Sequence, residues 1–353
     1  MNIDTPYYED HERVSNSSIG WFLKGGPSYF YKMWKGEIVG EKTPQLERGT
    51  MIHSYILTPE EFQKTYVVWD KSRPTSAQQE KFCQELANTV EIEPNRAILS
   101  AYKEAYSTAG KSEDKMLSEG LKIASTLKDY IDFLKANDGR IMISPWDAKM
   151  LDKIKQNIQS HKLAWQIINT QGTVYESIDS NKRVQWGAHE FHINWEWEHK
   201  APSSSSFGDV KLPVEGAIVK CKSLLDGLTL DFDHKKVIIY DLKTTQKLWH
   251  FEDSIDQYDY LRQLNYYKKA VQWYLKNECD VEPSEWTFKF YIIGIDTTGS
   301  YEIRVFKVEE FMVDSRNPII FYALGAISWH QSTDKWDHSR EYYEGDGSES
   351  LNL

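Results

Sequence analysis

Three residues in the second half of the chain have the types and spacing of a hydrolytic metal site. In Lys220-Cys221-Lys222-Ser223-Leu224-Leu225-Asp226-Gly227 an acidic residue ends an apolar run. In Ile238-Ile239-Tyr240-Asp241-Leu242-Lys243-Thr244-Thr245 a second one, Asp241, does the same, with Lys243 two residues beyond. Alternate side chains of a strand share a face, so Asp241 and Lys243 point the same way. A hairpin-like return between the two runs would bring Asp226 beside them. Two carboxylates suit a hard divalent cation, and the ammonium can handle a water or a phosphate, a set fit for phosphodiester hydrolysis. Plainer readings exist. Asp226 could cap a turn at Gly227, since Asp-Gly is a common turn pair, and Lys243 could be a solvated strand-end lysine. Asp241 resists such a reading, because a carboxylate ending Val237-Ile238-Ile239-Tyr240 is costly to bury unless paired or metal-bound.

Four segments, one of them holding Asp241 and Lys243, fall in order along the chain. They are Arg48-Gly49-Thr50-Met51-Ile52-His53, Glu190-Phe191-His192-Ile193-Asn194-Trp195, Asp241-Leu242-Lys243-Thr244-Thr245 and Gln263-Leu264-Asn265-Tyr266-Tyr267. Together they resemble the Gly-x-x-x-His motif, the early glutamate strand, the "DLKTT" signature and the Gln-x-x-x-Tyr helix of the PD-(D/E)XK nuclease superfamily, in its RecB/RecE branch. The resemblance runs from about Ser15 to about Asp296. It implies an α/β, restriction-endonuclease-like core, a central mixed sheet flanked by helices, and one or two Mg²⁺ or Mn²⁺ ions. Asp226, Asp241, Glu190 and His53 would hold the metal, the Leu242 carbonyl would add a ligand, and Lys243 would serve the attacking water. Glu190 is chosen over Glu176, Glu196 and Glu215 because its spacing to Trp195 resembles the family's strand; Glu176, opening a similar Glu-Ser-Ile segment, is the runner-up. Gln263 and Tyr267, one helical turn apart, and Thr244 would support the site or touch DNA, and Arg48 and Lys222 are candidate phosphate contacts. His53, Gln263 and Tyr267 also have ordinary packing readings.

By the same likeness the chain would be an exonuclease on linear duplex DNA ends, running 5′ to 3′ in recombination or repair. A ring of subunits, a strand-annealing partner and a phage or prophage setting would fit. The alternatives are an endonuclease or structure-specific nuclease on the same fold, or a catalytically silent DNA-end or partner-binding module. No Gly-x-x-x-x-Gly-Lys-Ser/Thr loop is present, so any ATP-driven motor must be a separate chain.

Composition narrows the classes. With 353 residues, 40% hydrophobic and 27% charged, the chain reads as globular with ample core, and it holds no apolar run near membrane length. A polar start without a signal peptide leads to the expectation of a cytoplasmic protein. A net charge of −11 argues against a generic basic nucleic-acid coat, although a metal site is itself acidic. Cys83, Cys221 and Cys279 form no disulfide framework or zinc pattern, and cannot supply the four thiolates of an iron–sulfur cluster. The 13 Trp and 21 Tyr are assigned no base-stacking role.

The expected organisation is a single nuclease domain over 1–353. Residues 1–75 form an N-terminal helical segment, 76–170 a helical insertion walling a cleft, 171–310 the catalytic sheet core, and 311–353 a last helix and polar tail. Helices are predicted from Ser15 to the Gly25-Gly26-Pro27 break, from Ser28 to Lys35, from Gly49 to Leu57, from Ser144-Pro145 onward, over 253–277 and over 318–331. Strands are predicted at 174–178, 188–197, 217–225, 237–242, 286–295 and 301–308, with a flexible excursion at 200–213.

Overall fold

The computed structural model describes residues 7–40, 43–90, 93–136, 139–169, 185–198 and 218–349. The strand expected at 174–178, the excursion at 200–213, Glu176 and Glu215 lie outside these residues. The chain divides into two compact units, Met1–Thr58 with Asp152–Leu353, and Pro59–Leu151.

The first unit opens with α1 (Asn16–Trp34) and α2 (Pro44–Leu57). Ser15 caps α1 reciprocally with Ser18, and Gly26 (φ 71°, ψ −173°) before Pro27 breaks it where the Gly-Gly-Pro run predicts. Thr43 caps α2 and Pro44 opens it, so the helix bearing His53 starts ahead of Gly49.

The second unit holds α3 (Pro59–Thr65), β1 (Tyr66–Val68), α4 (Ala77–Asn88), α5 (Pro94–Ala105), α6 (Glu113–Thr126), α7 (Lys128–Lys135) and β2 (Ile141–Ile143). It has its own core, including Phe82, Ala101, Tyr102, Met116 and Ile131. The parallel pairing of β1 with β2 was not foreseen, because three-residue strands are too short for alternation to show. Next, α8 (Pro145–Ser160) starts at Ser144 as predicted, with Ser144 and Asp147 capping each other, and Met150, Ile154 and Ile158 are buried.

The first unit continues with α9 (Lys162–Ile168), β3 (Gln185–Glu198), β4 (Ile218–Asp231), β5 (Lys236–Thr245), α10 (Phe251–Gln257) and α11 (Tyr260–Asn277). It ends with β6 (Thr287–Asp296), β7 (Ile303–Val308), α12 (Glu310–Asp314), α13 (Asn317–Thr333) and α14 (Arg340–Glu344). Among the described residues five strands form a sheet in the order β3-β4-β5-β6-β7. All neighbours are antiparallel except β5 and β6, which are parallel. A parallel pair needs a crossover, and α10 and α11 supply it. The fold is therefore α/β, a mixed sheet flanked by helices. Leu264, Tyr266, Val271 and Leu275 of α11 share one core with Val237, Ile239, Phe290 and Ile292 of the sheet and with Ala323, Leu324 and Ile327 of α13. Each large apolar side chain buried there contributes about 1.5–3 kcal/mol before entropy is counted.

Two expectations need correction. The helix predicted over 253–277 is interrupted at Tyr258-Asp259. Asp259 turns left-handed (φ 47°, ψ 54°), caps α11 by accepting from the Arg262 amide at 3.3 Å, and takes the Arg316 guanidinium at 2.8 Å. The tail after Thr333 is not simply polar: Trp336 is buried and stacks on Phe30 with ring centroids 5.5 Å apart.

Gly227 lies inside β4 and pairs with Tyr240 of β5, whose ring crosses it. A Cβ at Gly227 would fall 1.9 Å from Tyr240 Cε1. Gly227→Ala should therefore destabilise the chain by about 1–3 kcal/mol or more in urea unfolding, and a variant as stable as wild type would refute this packing.

Candidate metal centre

The centre forms where β4 and β5 part. Their ladder runs from Asp231↔Lys236 to Gly227↔Tyr240 and stops there. One residue further along each strand stand Asp226 and Asp241. The Leu242 amide, released from the ladder with β4, donates instead to Asp226 Oδ2 at 2.6 Å. The connecting turn lies at 232–235, so the reading of Asp226 as a turn cap at Gly227 is overturned; both residues sit inside a strand. Asp226 and Asp241 are both buried.

On β5 the period-two argument holds: Lys243 Nζ lies 2.5 Å from Asp241 Oδ2. The Gln263 amide of α11 donates to Asp241 Oδ1 at 3.0 Å and to the Tyr267 hydroxyl at 2.8 Å. Gln263 and Tyr267 thus meet the site from one face of α11. Tyr260, on the same face, lies under the Lys243 ammonium, 4.9 Å from ring centre to Nζ. Tyr260 was missed in the sequence, although its i, i+3, i+7 spacing with Gln263 and Tyr267 was available as a signal.

Gly49 explains how α2 enters. A Cβ there would lie 3.2 Å from Thr244 Oγ1, so glycine lets the helix close on β5. One turn later His53 reaches the site, with Nδ1 3.6 Å from Asp226 Oδ2. Arg48 is half-buried beside Gly49 on α2.

Glu190 comes from β3, facing Asp226 between the register pairs His189↔Gly227 and Phe191↔Leu225. Its backbone is left-handed (φ 46°), and the pairing of β3 with β4 skips this position. Such a conformation costs a non-glycine residue about 1–3 kcal/mol and persists where the surrounding structure over-determines the backbone. Ligand atoms of His53, Glu190 and Asp226 all lie within 4.8 Å of one another. Of the rival glutamates, Glu196 is exposed opposite Lys220. Two carboxylates and an imidazole fit a divalent cation, oxygen-rich enough for Mg²⁺ and well suited to Mn²⁺.

Lys222 does not face a phosphate. It is buried, and its ammonium donates to the carbonyls of Tyr7 and Asp10. With the backbone pairing of Val14 to Lys220 and Lys222, at 2.9 and 2.8 Å, it fastens the segment before α1 onto β4. The Tyr266 hydroxyl adds a bond to the Val14 carbonyl at 2.6 Å.

The electrostatics follow from burial and crowding. Burial, then the charges of Asp226 and Asp241, push Glu190 up to about 7. Burial and the Asp226 charge raise Asp241 to about 6 despite its Lys243 partner. Asp226 is raised mainly by burial. Burial and the Lys243 charge push His53 down to about 4, leaving a neutral imidazole able to ligate. Burial disfavours the Lys243 ammonium, but Asp241 and Asp226 outweigh it and its pKa is raised.

No helix among the described residues is long and apolar enough to cross a membrane. No protein-family model matches the chain. No curated protein matches it. Among solved structures, a "Putative exonuclease" from Eubacterium rectale aligns with 97% of this chain and 91% of its own at 12% identity, with a TM-score of 0.46. A likeness of that size carries no inference about chemistry.

Glu190 offers a pH test. Its folded pKa, about 7, lies above the ordinary 4.5, so its contribution to stability is present at low pH and is lost as pH rises through that window. His53 works oppositely, its contribution being present above 6.5 and lost as pH falls toward 4. In EDTA, wild type should therefore lose about 1–2 kcal/mol relative to Glu190→Gln between pH 5 and pH 8, after allowance for solvent at this half-buried group. Parallel stability curves for the two proteins would contradict the assignment.

Proposed function

We propose that this chain hydrolyses phosphodiester bonds of DNA at the centre built from Asp226, Asp241, Lys243, Glu190 and His53. The observation that carries the reading is the Asp241–Lys243 ion pair, at 2.5 Å, set beside three ligand atoms that lie within 4.8 Å of one another. His53, Glu190 and Asp226 would hold Mg²⁺ or Mn²⁺, with Asp241 and the Leu242 carbonyl completing the shell. A cation there would polarise the phosphate and make bound water more acidic. The chain's own residues do the remaining work. Lys243 keeps its proton at neutral pH, so it acts as a donor that orients the water and neutralises charge on the phosphoryl oxygens, not as a base. Gln263 fixes Asp241, and Tyr267 fixes Gln263. Thr244 seats α2 at Gly49, and Arg48 would be a contact for a DNA phosphate. In the step itself the water oxygen bonds to phosphorus as the ester P–O bond breaks; the water gives up one proton to solvent and the leaving oxygen takes one from solvent, giving a phosphate monoester and a hydroxyl end.

The finer reading is an exonuclease on linear duplex ends, working 5′ to 3′ in recombination or repair, in the cytoplasm of a bacterial or phage-infected cell. A ring of subunits and a strand-annealing partner belong to the same proposal. The resemblance of the ordered motifs supports it.

Linear duplex and covalently closed circular DNA, each with Mg²⁺ or EDTA, test the reading. Linear DNA alone should be degraded, only with metal, and Lys243→Ala should be slower by on the order of 100-fold or more. Metal-independent cleavage would refute the mechanism. Cutting of the circle would make the chain an endonuclease, and no cleavage of either substrate with Mg²⁺ or Mn²⁺ would make it a binding module.

A further inference from the structure

The groups of the centre differ in how they are held. Asp226 accepts from the Leu242 amide at 2.6 Å. Asp241 accepts from Gln263 at 3.0 Å and pairs with Lys243 at 2.5 Å. Glu190, by contrast, accepts a hydrogen bond from no group among the described residues, and burial and the charges of Asp226 and Asp241 hold its proton.

The converse lies close by. Tyr240 is 1% exposed, and its hydroxyl has no hydrogen-bond partner among the described residues. Its ring crosses the Gly227 backbone, where a Cβ would fall 2.5 Å from the hydroxyl oxygen. Beyond Gly227 it meets His189, with the ring centroids 6.1 Å apart and edge to face. Gly227 and His189 are register partners, and each is the chain neighbour of a carboxylate, Asp226 and Glu190. After burial, the charges of those two carboxylates are what hold the phenolic proton in place. His189 itself is committed elsewhere, to the carbonyls of Leu57 at 2.9 Å and Ile168 at 3.0 Å. Among the described residues, a buried donor lacking an acceptor and a carboxylate lacking a donor therefore flank the same stretch of β4, at Asp226-Gly227.

We propose that Tyr240 is a positioning residue whose hydroxyl donates to the Glu190 carboxylate when that group is ionised against a divalent cation. One carboxylate oxygen would take the phenol and the other would face the cation. Carboxylates that ligate metals are themselves hydrogen-bonded, and losing such a partner weakens binding even though no ligand is lost. The inference rests on the cation reading given above. A purely packing role needs only the ring over Gly227, and phenylalanine would keep the ring.

Tyr240→Phe separates the two roles. Mn²⁺ binding to the full chain is measured by calorimetry for wild type, Tyr240→Phe, Glu190→Gln and the double variant, together with thermal unfolding in EDTA. Tyr240→Phe should unfold in EDTA at or above the wild-type temperature, because no hydrogen bond is lost, while its Kd for Mn²⁺ rises by about 10–100-fold. In the Glu190→Gln background the same substitution should cost nothing more. Wild-type Mn²⁺ affinity in Tyr240→Phe, an equal loss in the Glu190→Gln background, or a lower unfolding temperature in EDTA would each overturn the inference alone. A wild-type chain that takes up no Mn²⁺ would overturn it together with the cation reading.

Discussion

A carboxylate taken into a protein interior must find donors or positive charge, and the architecture of this centre follows from how Asp226 does so. Its Oδ2 takes the Leu242 amide at the point where β4 and β5 stop pairing. The bond replaces a rung of the ladder, so the two strands separate without leaving that amide unpaired. The separated length of β5 carries Asp241 and Lys243, which pair with each other because strand side chains repeat every second residue. From one side α11 brings Gln263 to Asp241, and α2 brings His53 to Asp226. The opposite strand contributes Glu190 through a left-handed residue facing Asp226.

Charge explains why such a cluster is poised for a cation. Three carboxylates gather around a single ammonium and a neutral imidazole. The excess negative charge and the burial hold protons on Glu190 and Asp241 well above the ordinary carboxylate range. A divalent cation would displace those protons and repay the desolvation that the fold alone leaves uncompensated. Perturbed acids, one strained backbone residue and one buried phenol with no acceptor among the described residues stand at adjoining register positions of β3, β4 and β5. This concentration of local cost is characteristic of sites built for function and stabilised by the surrounding core.

Much of this was legible in the sequence where the physics is local or periodic. The Asp241-x-Lys243 pair followed from strand alternation. His53 stood out through its Gly-x-x-x-His spacing from Gly49. The Gln263 and Tyr267 face followed from helical spacing. Features that depend on long-range contact were hidden. Lys222 looks like a basic strand residue until Tyr7 and Asp10 are folded over it. The break at Asp259 is fixed by Arg316, which is distant in sequence. Asp226-Gly227 resembles a turn, yet the glycine is there to pass beneath Tyr240. Tyr240 itself was hidden in an apolar run, where alternation alone predicts a residue turned away from Asp241.

The most direct examination of the central claim is diffraction from crystals of the chain soaked in MnCl₂, recorded for the anomalous signal of manganese. The expected result is a peak bounded by His53, Glu190 and Asp226, absent from crystals of Asp226→Asn. A soaked wild-type crystal without density there, or with its manganese only at exposed acidic residues elsewhere, would contradict the account.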